Sequence, residues 1–317
     1  MKTSLSHMHG KDASTEFIRI SEITKILSDQ ANDISQPFKS LIGDDAAVIN
    51  SQDLKLTLFA SDMMVENIHF RTSYLKEADI GYKSMATNVS DMAAMGGFPR
   101  YATISLACPG NFDMEKFYMG VKRACEEYDF HIAGGDLSSS ELIVISVAML
   151  GSCYAEPIRR STARSGDAIF VTGAVGGSSA GLELLMANPH SEGPLVDVHK
   201  APRARLREAE AISRLGASSA IDISDGLVAD LNHICENSHL GAALTELPVA
   251  PGASLENAKY GGEDYELIFS HQDPASVHST FASLGLRGPY MIGSFTDAPG
   301  ITLMGEDVVV RGYQHDF

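Results

Sequence analysis

The sequence has 317 residues, 44% of them hydrophobic and 21% charged, with no apolar run near the roughly 20 residues that a membrane-spanning helix needs. A formal net charge of -17 lacks the basic footprint of a nucleic-acid or anionic-membrane binder. A chain about twice a typical domain in length is expected to be soluble and cytoplasmic, to fold as two domains, and to bind neither nucleic acid nor membrane.

Residues 1–14 are polar and read as a frayed tail rather than a signal peptide. Strands are predicted over 54–60, 101–107 and 141–150, with helices over 77–95 and 112–128, the second capped by Asn111 or Asp113. A second set follows Pro157: a strand over 168–172, a helix from Ser178, a charged helix over 202–215, and a strand near 219–224 leading into a helix over 227–235. Strand, helix and strand then follow over 265–270, 274–284 and 290–296. The alternation reads as α/β (α+β), with a boundary near 152–160. Cys108, Cys125, Cys153 and Cys235 are widely spaced and form no CxxC pair, so each is expected to be a free, packed thiol.

Carboxylates recur beside glycine or at a strand end: Gly43-Asp44-Asp45, Ser61-Asp62, Gly134-Gly135-Asp136, Asp222-Ile223-Ser224-Asp225-Gly226 and Gly261-Gly262-Glu263-Asp264. Singly, each suits a turn or a cap. Five together suit hard cations, because such positions expose oxygen donors and let a ligand approach the backbone. Asp91 adds a carboxylate inside an apolar helix, one turn after Asn88. Asp222 and Asp225 flank Ser224 where a strand meets a helix. There Ser224 or Asp225 is the expected cap, the helix amides favour an anion, and the two carboxylates suit its metal.

No Walker A segment and no protein-kinase motif set is present. The glycines from Gly173 to Gly181 follow a strand and open a helix, but their spacing does not fit G-x-G-x-x-G, so close helix packing is preferred to a dinucleotide site. His69, Arg159, Arg160 and Tyr313 are weaker candidates, each equally readable as an ordinary packed or solvated side chain.

These motifs, in this order, are similar to those of the thiamine-monophosphate kinase family. That family shares a superfamily with aminoimidazole ribonucleotide synthetase, selenophosphate synthetase and a hydrogenase maturation factor. The resemblance runs from Glu16 to Phe317 and is carried by Gly43-Asp44-Asp45-Ala46-Ala47-Val48, Asp62-Met63-Met64-Val65-Glu66-Asn67-Ile68-His69-Phe70, Asn88-Val89-Ser90-Asp91-Met92-Ala93-Ala94-Met95-Gly96, Gly134-Gly135-Asp136, Ile221-Asp222-Ile223-Ser224-Asp225-Gly226-Leu227 and Gly261-Gly262-Glu263-Asp264-Tyr265-Glu266-Leu267. It implies a two-domain synthetase-like kinase. Residues 15–153 would form a mixed-sheet domain that binds ATP and Mg²⁺ and dimerises, and 154–317 an α/β domain.

The resemblance further implies that Asp45, Asp62, Asp91, Asp136, Asp222 and Asp225 hold several Mg²⁺ ions, with Ser61 where the family usually has threonine. It implies ATP contacts from Tyr118, Gly135, Asp136, Arg160 and Ser224, and contacts to thiamine monophosphate from His69, Glu263 and Tyr313. Asp44 and Asp264 are left with structural roles. The acceptor would be a phosphate oxygen with a second pKa of about 6, already anionic at neutral pH, so no general base is expected. Positioning and metal charge would carry direct in-line transfer. The alternatives are an activity like that of aminoimidazole ribonucleotide synthetase, or an inactive nucleotide-binding sensor.

Overall fold

The computed structural model describes the backbone of Phe38–Ser40, Ala47–Ser51 and residues 54–313, with side chains from Thr57 onward. Asp44 and Asp45 lie outside the described residues.

The first sheet contains β1 (Phe38–Ser40), β2 (Ala47–Ser51), β3 (Leu54–Val65), β4 (Gly97–Cys108), β5 (His131–Ser139) and β6 (Val144–Cys153), in the order β1-β2-β3-β6-β4-β5. Its neighbours pair antiparallel except β4 and β5, which run parallel. A parallel pair needs a crossover, and the helix α2 (Met114–Tyr128) supplies it. Along β6 the side chains alternate, so that Ile145, Val147 and Met149 are buried against α2 and the preceding helix α1 (Glu77–Ala94).

The second sheet contains β7 (Ala168–Val171), β8 (Ser219–Asp222), β9 (Gly241–Leu244), β10 (Leu267–His271), β11 (Tyr290–Thr296), β12 (Ile301–Leu303) and β13 (Glu306–Asp307), in the order β13-β12-β9-β11-β7-β10-β8. The helices of this half are α3 (Gly177–Ala187), α4 (Pro194–Lys200), α5 (Leu206–Leu215), α6 (Leu227–Ser238), α7 (Leu255–Tyr260) and α8 (Pro274–Ser283), of which α3 and α4 lend Leu185 and Val196 to the first core. The strands β7, β8 and β10 are buried at every position, which marks a sheet covered on both faces.

Helix α1 is buried at every residue from Ile80 to Ser90 and again over Met92–Ala94. Such a helix has no solvent side. Its Tyr82, Met85, Ala86 and Val89 belong to the first core, while Ala93 and Ala94 join the core that α5 and α8 build on the second sheet. It meets α2 backbone to backbone: a Cβ on Gly81 would lie 2.1 Å from Phe117 O, and one on Gly120 would lie 1.9 Å from Ala78 O.

The strand expected over 54–60 runs on to Val65, so Ser61 and Asp62 sit inside β3 rather than at its end. The charged helix begins at Leu206 rather than Pro202, because Arg205 leaves the helical path and reaches Glu266, with Nη2 at 2.5 Å from Oε1. Asp113, not Asn111, caps α2 by accepting from Lys116 N at 3.1 Å. The four cysteines are free thiols. No described helix is long and apolar enough to cross a membrane.

Candidate functional site

A cavity of about 350 Å³ opens between the two sheets, with Asp62 of β3, Thr87 of α1 and Asp225, Glu263 and Tyr313 of the second half among its lining. Its floor is the segment before β10. Glu263 (φ 65) and Tyr265 (φ 50) both adopt the left-handed backbone region that non-glycine residues avoid. The segment is fixed to the turn after β8: Glu263 N donates to Ser224 O at 2.8 Å, and Tyr265 N donates to Ile223 O at 2.9 Å. The loops lie so close that a Cβ on Gly262 would come within 2.4 Å of Ser224 O. Two strained residues clamped beside a cavity are the kind of feature that functional sites retain.

The buried phenol of Tyr265 is pushed well above its usual range by desolvation, then by Glu263, Asp62, Asp222 and Asp91. These carboxylates therefore gather around one ring from β3, α1, β8 and the loop before β10. Burial also pushes the Asp62 carboxyl up, against hydrogen bonds from Met63 N and the Thr87 side chain. Asp222 accepts from Ser90 Oγ at 2.6 Å, which ties β8 to α1.

Asp230 of α6 is a residue that motif reading missed. Its Oδ2 accepts from the amides of Ser224, Asp225 and Gly226, each at 3.1 Å. Burial pushes this carboxyl well above its ordinary value, followed by Asp225 and Asp222. The cap expected from Ser224 or Asp225 is thus corrected. Gly226 occupies the N-cap, and the anion that the helix amides attract is the chain's own Asp230.

The glycine-rich segment before α3 repeats the device, for Asp264 accepts from Gly176 N and Ser178 N, at 2.5 and 3.0 Å. Its amides are taken, and a Cβ on Gly181 would lie 2.1 Å from Leu195 O of α4. Close packing, not a dinucleotide, accounts for these glycines.

Behind Glu263, Lys83 of α1 is fully buried with Nζ 2.9 Å from Glu263 Oε1, and His199 of α4 places Nδ1 at 3.5 Å from Oε2. His69 is half-buried at the rim, where its Nδ1 accepts from Val65 N at 2.9 Å, which leaves the proton to Nε2.

His69, Asp62, Ser224, Asp225, Glu263 and Tyr313 therefore share the cavity wall. Asp91 and Asp222 adjoin it through Tyr265, and Arg160 stands close enough to Asp230 to oppose the upward push on its carboxyl. Ser61 points to the exposed face of β3, away from Asp62. Tyr118 packs edge-on to Phe117 at 5.2 Å, against the first core. Gly135 and Asp136 lie on the edge strand β5, three strand spacings from β3, so the backbones at Asp62 and Asp136 stand roughly 14 Å apart across the sheet.

Among the described residues no three His, Cys, Asp or Glu side chains converge into a ready cage. The donors around the cavity are nevertheless carboxylates and hydroxyls without thiolates, which fits a hard cation such as Mg²⁺ completed by ligand oxygens.

Residues 43–153 match the family model described as AIR synthase related protein, N-terminal domain, and 164–306 the corresponding C-terminal domain. Fold and site together define a protein of this AIR-synthase-related class. A thiamine-monophosphate kinase of Aquifex aeolicus is 37% identical over 87% of this chain and 92% of its own length. That of Bacillus subtilis is 35% identical over 77% and 84%. A solved structure described as AaThiL complexed with AMPPCP and TMP superposes with a TM-score of 0.85 at 34% identity, covering 99% of this chain and 100% of that one. The chain belongs to the thiamine-monophosphate kinase family.

Proposed function

We propose that this chain transfers the γ-phosphoryl group of ATP to thiamine monophosphate, forming thiamine diphosphate. The observation that carries the reading is the likeness, over nearly the full chain, to a structure described as complexed with AMPPCP and TMP, joined to a cavity lined by the same residues that the motifs single out. In chemical terms the enzyme is a phosphotransferase with a phosphate acceptor.

The acceptor oxygen carries its charge at neutral pH, since the second pKa of a phosphate monoester is about 6, so no side chain has to remove a proton. What must be overcome is repulsion between two anions. Asp62, Asp91, Asp222 and Asp225 are the residues to hold Mg²⁺ beside the cavity, with Asp45, Asp136 and Ser61 assigned to further ions of the several expected, and the metal charge would neutralise phosphate charge and orient the γ-phosphoryl group. Tyr118, Gly135, Asp136, Arg160 and Ser224 are assigned to ATP. Glu263 and His69 orient the aminopyrimidine end of the acceptor, and the ring of Tyr313 faces its thiazolium, a cation–π contact worth about 0.5 to 2 kcal/mol. The walls contributed by α1 and the floor at Tyr265 exclude water from the transfer.

A homodimer is part of the proposal. Phe59, Leu150 and Tyr101 form a cross-strand row on the open face of the first sheet, where Phe59 is 43% and Tyr101 51% exposed. A second copy of that face is a suitable cover. The domain limits we assign are 15–153 and 154–317, and the cytoplasm is the expected compartment.

Incubation with ATP, Mg²⁺ and thiamine monophosphate should add the mass of one phosphate to the acceptor, and EDTA should stop it. If ATP binds but no thiamine diphosphate forms under any condition, the nucleotide-sensor alternative replaces the kinase.

A further inference from the structure

Helix α1 carries a polar stripe on a helix that is otherwise core. Lys83, Thr87, Ser90 and Asp91 follow at helical spacing, and each faces the site: Lys83 meets Glu263, Thr87 lines the cavity beside Asp62, and Ser90 holds Asp222. Lys83 is the unusual member. It is 0% exposed, and its ammonium has no hydrogen bond of good geometry among the described residues; the Glu263 carboxylate at 2.9 Å is the charge that answers it. A buried cation is tolerated only when paired. The need runs both ways: Glu263, 26% exposed at the cavity wall, has one oxygen fixed by Lys83.

The other oxygen faces His199. Burial, then Lys83 and Lys200, push this imidazole down to about 2, so it is neutral. Its Nδ1 lies 3.1 Å from Ser178 Oγ, while its buried Nε2 has no partner among the described residues. A tautomer with the proton on Nδ1 leaves only a lone pair orphaned on Nε2, the cheaper of the two omissions. That proton then points to the Ser178 and Glu263 side of the ring. The carboxylate is held from two elements, α1 and α4, on a backbone itself locked in the left-handed region.

We propose that Lys83 is a positioning residue for acceptor specificity: it fixes the Glu263 carboxylate, with His199 steadying the second oxygen, so that Glu263 accepts from the amino group of the substrate's aminopyrimidine. The inference rests on the assignment of Glu263 to the acceptor made above.

The test compares the full chain with Lys83→Met, Glu263→Gln and the double variant, with KM measured for both substrates. Each single change should raise KM for thiamine monophosphate roughly tenfold to a hundredfold and leave KM for ATP within about twofold, and the double variant should match the worse single one. An acceptor analogue with oxygen in place of the pyrimidine amino group adds a readout that simple destabilisation does not move. The parent should discriminate against it, and Lys83→Met should not. Multiplying effects in the double variant, or equal losses for ATP and acceptor, would overturn the inference. Should Lys83→Met fail to fold, the double variant leaves no unpaired buried charge: its agreement with Glu263→Gln supports the coupling, and a further tenfold loss rejects it. Absence of turnover by the parent chain would bring down the kinase reading and this inference with it, whereas an active parent indifferent to Lys83→Met would reject the inference alone.

Discussion

Asp230 and Asp264 each close a helix N-terminus from within the chain, and at Asp230 the sequence had invited a foreign anion. Asp230 answers three amides with one oxygen, so Asp230→Ala, which leaves those amides without their acceptor, should cost about 1 to 3 kcal/mol in urea unfolding. Asp91→Asn should remove most activity at ordinary Mg²⁺ and recover part of it as Mg²⁺ is raised, in a steady-state assay.

His199 gives a prediction with a definite sign. Its folded pKa of about 2 lies below the unfolded 6.5, so the stability it contributes is present above pH 6.5 and lost as the pH falls. Asp264, pushed up to about 7 from 3.8 by burial, contributes stability that is present below pH 3.8 and lost as the pH rises. Between about pH 4 and 6.5 the two slopes oppose each other, each up to about 1.4 kcal/mol per pH unit. His199→Gln should therefore tilt the stability–pH curve over that window toward lower stability at higher pH, by up to about that slope, in urea titrations at a series of pH values.

The carboxylates beside glycine were legible because turn chemistry marks them. Lys83, His199 and Asp230 were not, since each sits in an unremarkable helix and acquires its role from partners far away in the chain. Tyr265 was quoted only within a motif; its place at the centre of four carboxylates comes from the left-handed backbone, which composition does not reveal.

Among the elements, those with a clear period were readable: α2 with its Asp113 cap, α8 after Asp273, and β11 over Tyr290–Thr296. Short pieces such as α4, α7, β9 and β12 were not, because three to seven residues give no periodicity and their stability comes from what they pack on. β3 was cut short because its serine and aspartate look like a strand end, whereas its ladder with β6 continues in register to Val65.

The α1–α2 crossing offers a test in which two effects differ in sign. Alanine for glycine inside a helix ordinarily gains up to about 1 kcal/mol. At Gly120 the new Cβ would meet a backbone oxygen at 1.9 Å, which cannot step aside as a side-chain tip can. Gly120→Ala should therefore lose about 1 to 3 kcal/mol and lower the melting temperature.

At the scale of the whole molecule, the uncovered row of Phe59, Leu150 and Tyr101 makes a prediction about mass in solution. Analytical ultracentrifugation should find the parent as a dimer and Tyr101→Asp shifted toward monomer, because a charge buried opposite its own copy is repelled and desolvated. Two sheets with separate clusters of apolar residues would suggest two melting steps. Helix α1 argues otherwise, since its residues are divided between the clusters and cutting either away strips part of the same rod of its cover. Calorimetry should accordingly show a single peak whose measured enthalpy equals its van't Hoff value. Expressed alone, residues 15–153 should behave as a loosely packed, aggregation-prone fragment. The seam between the two family-matched segments would then divide the sequence without dividing the cooperative unit of folding.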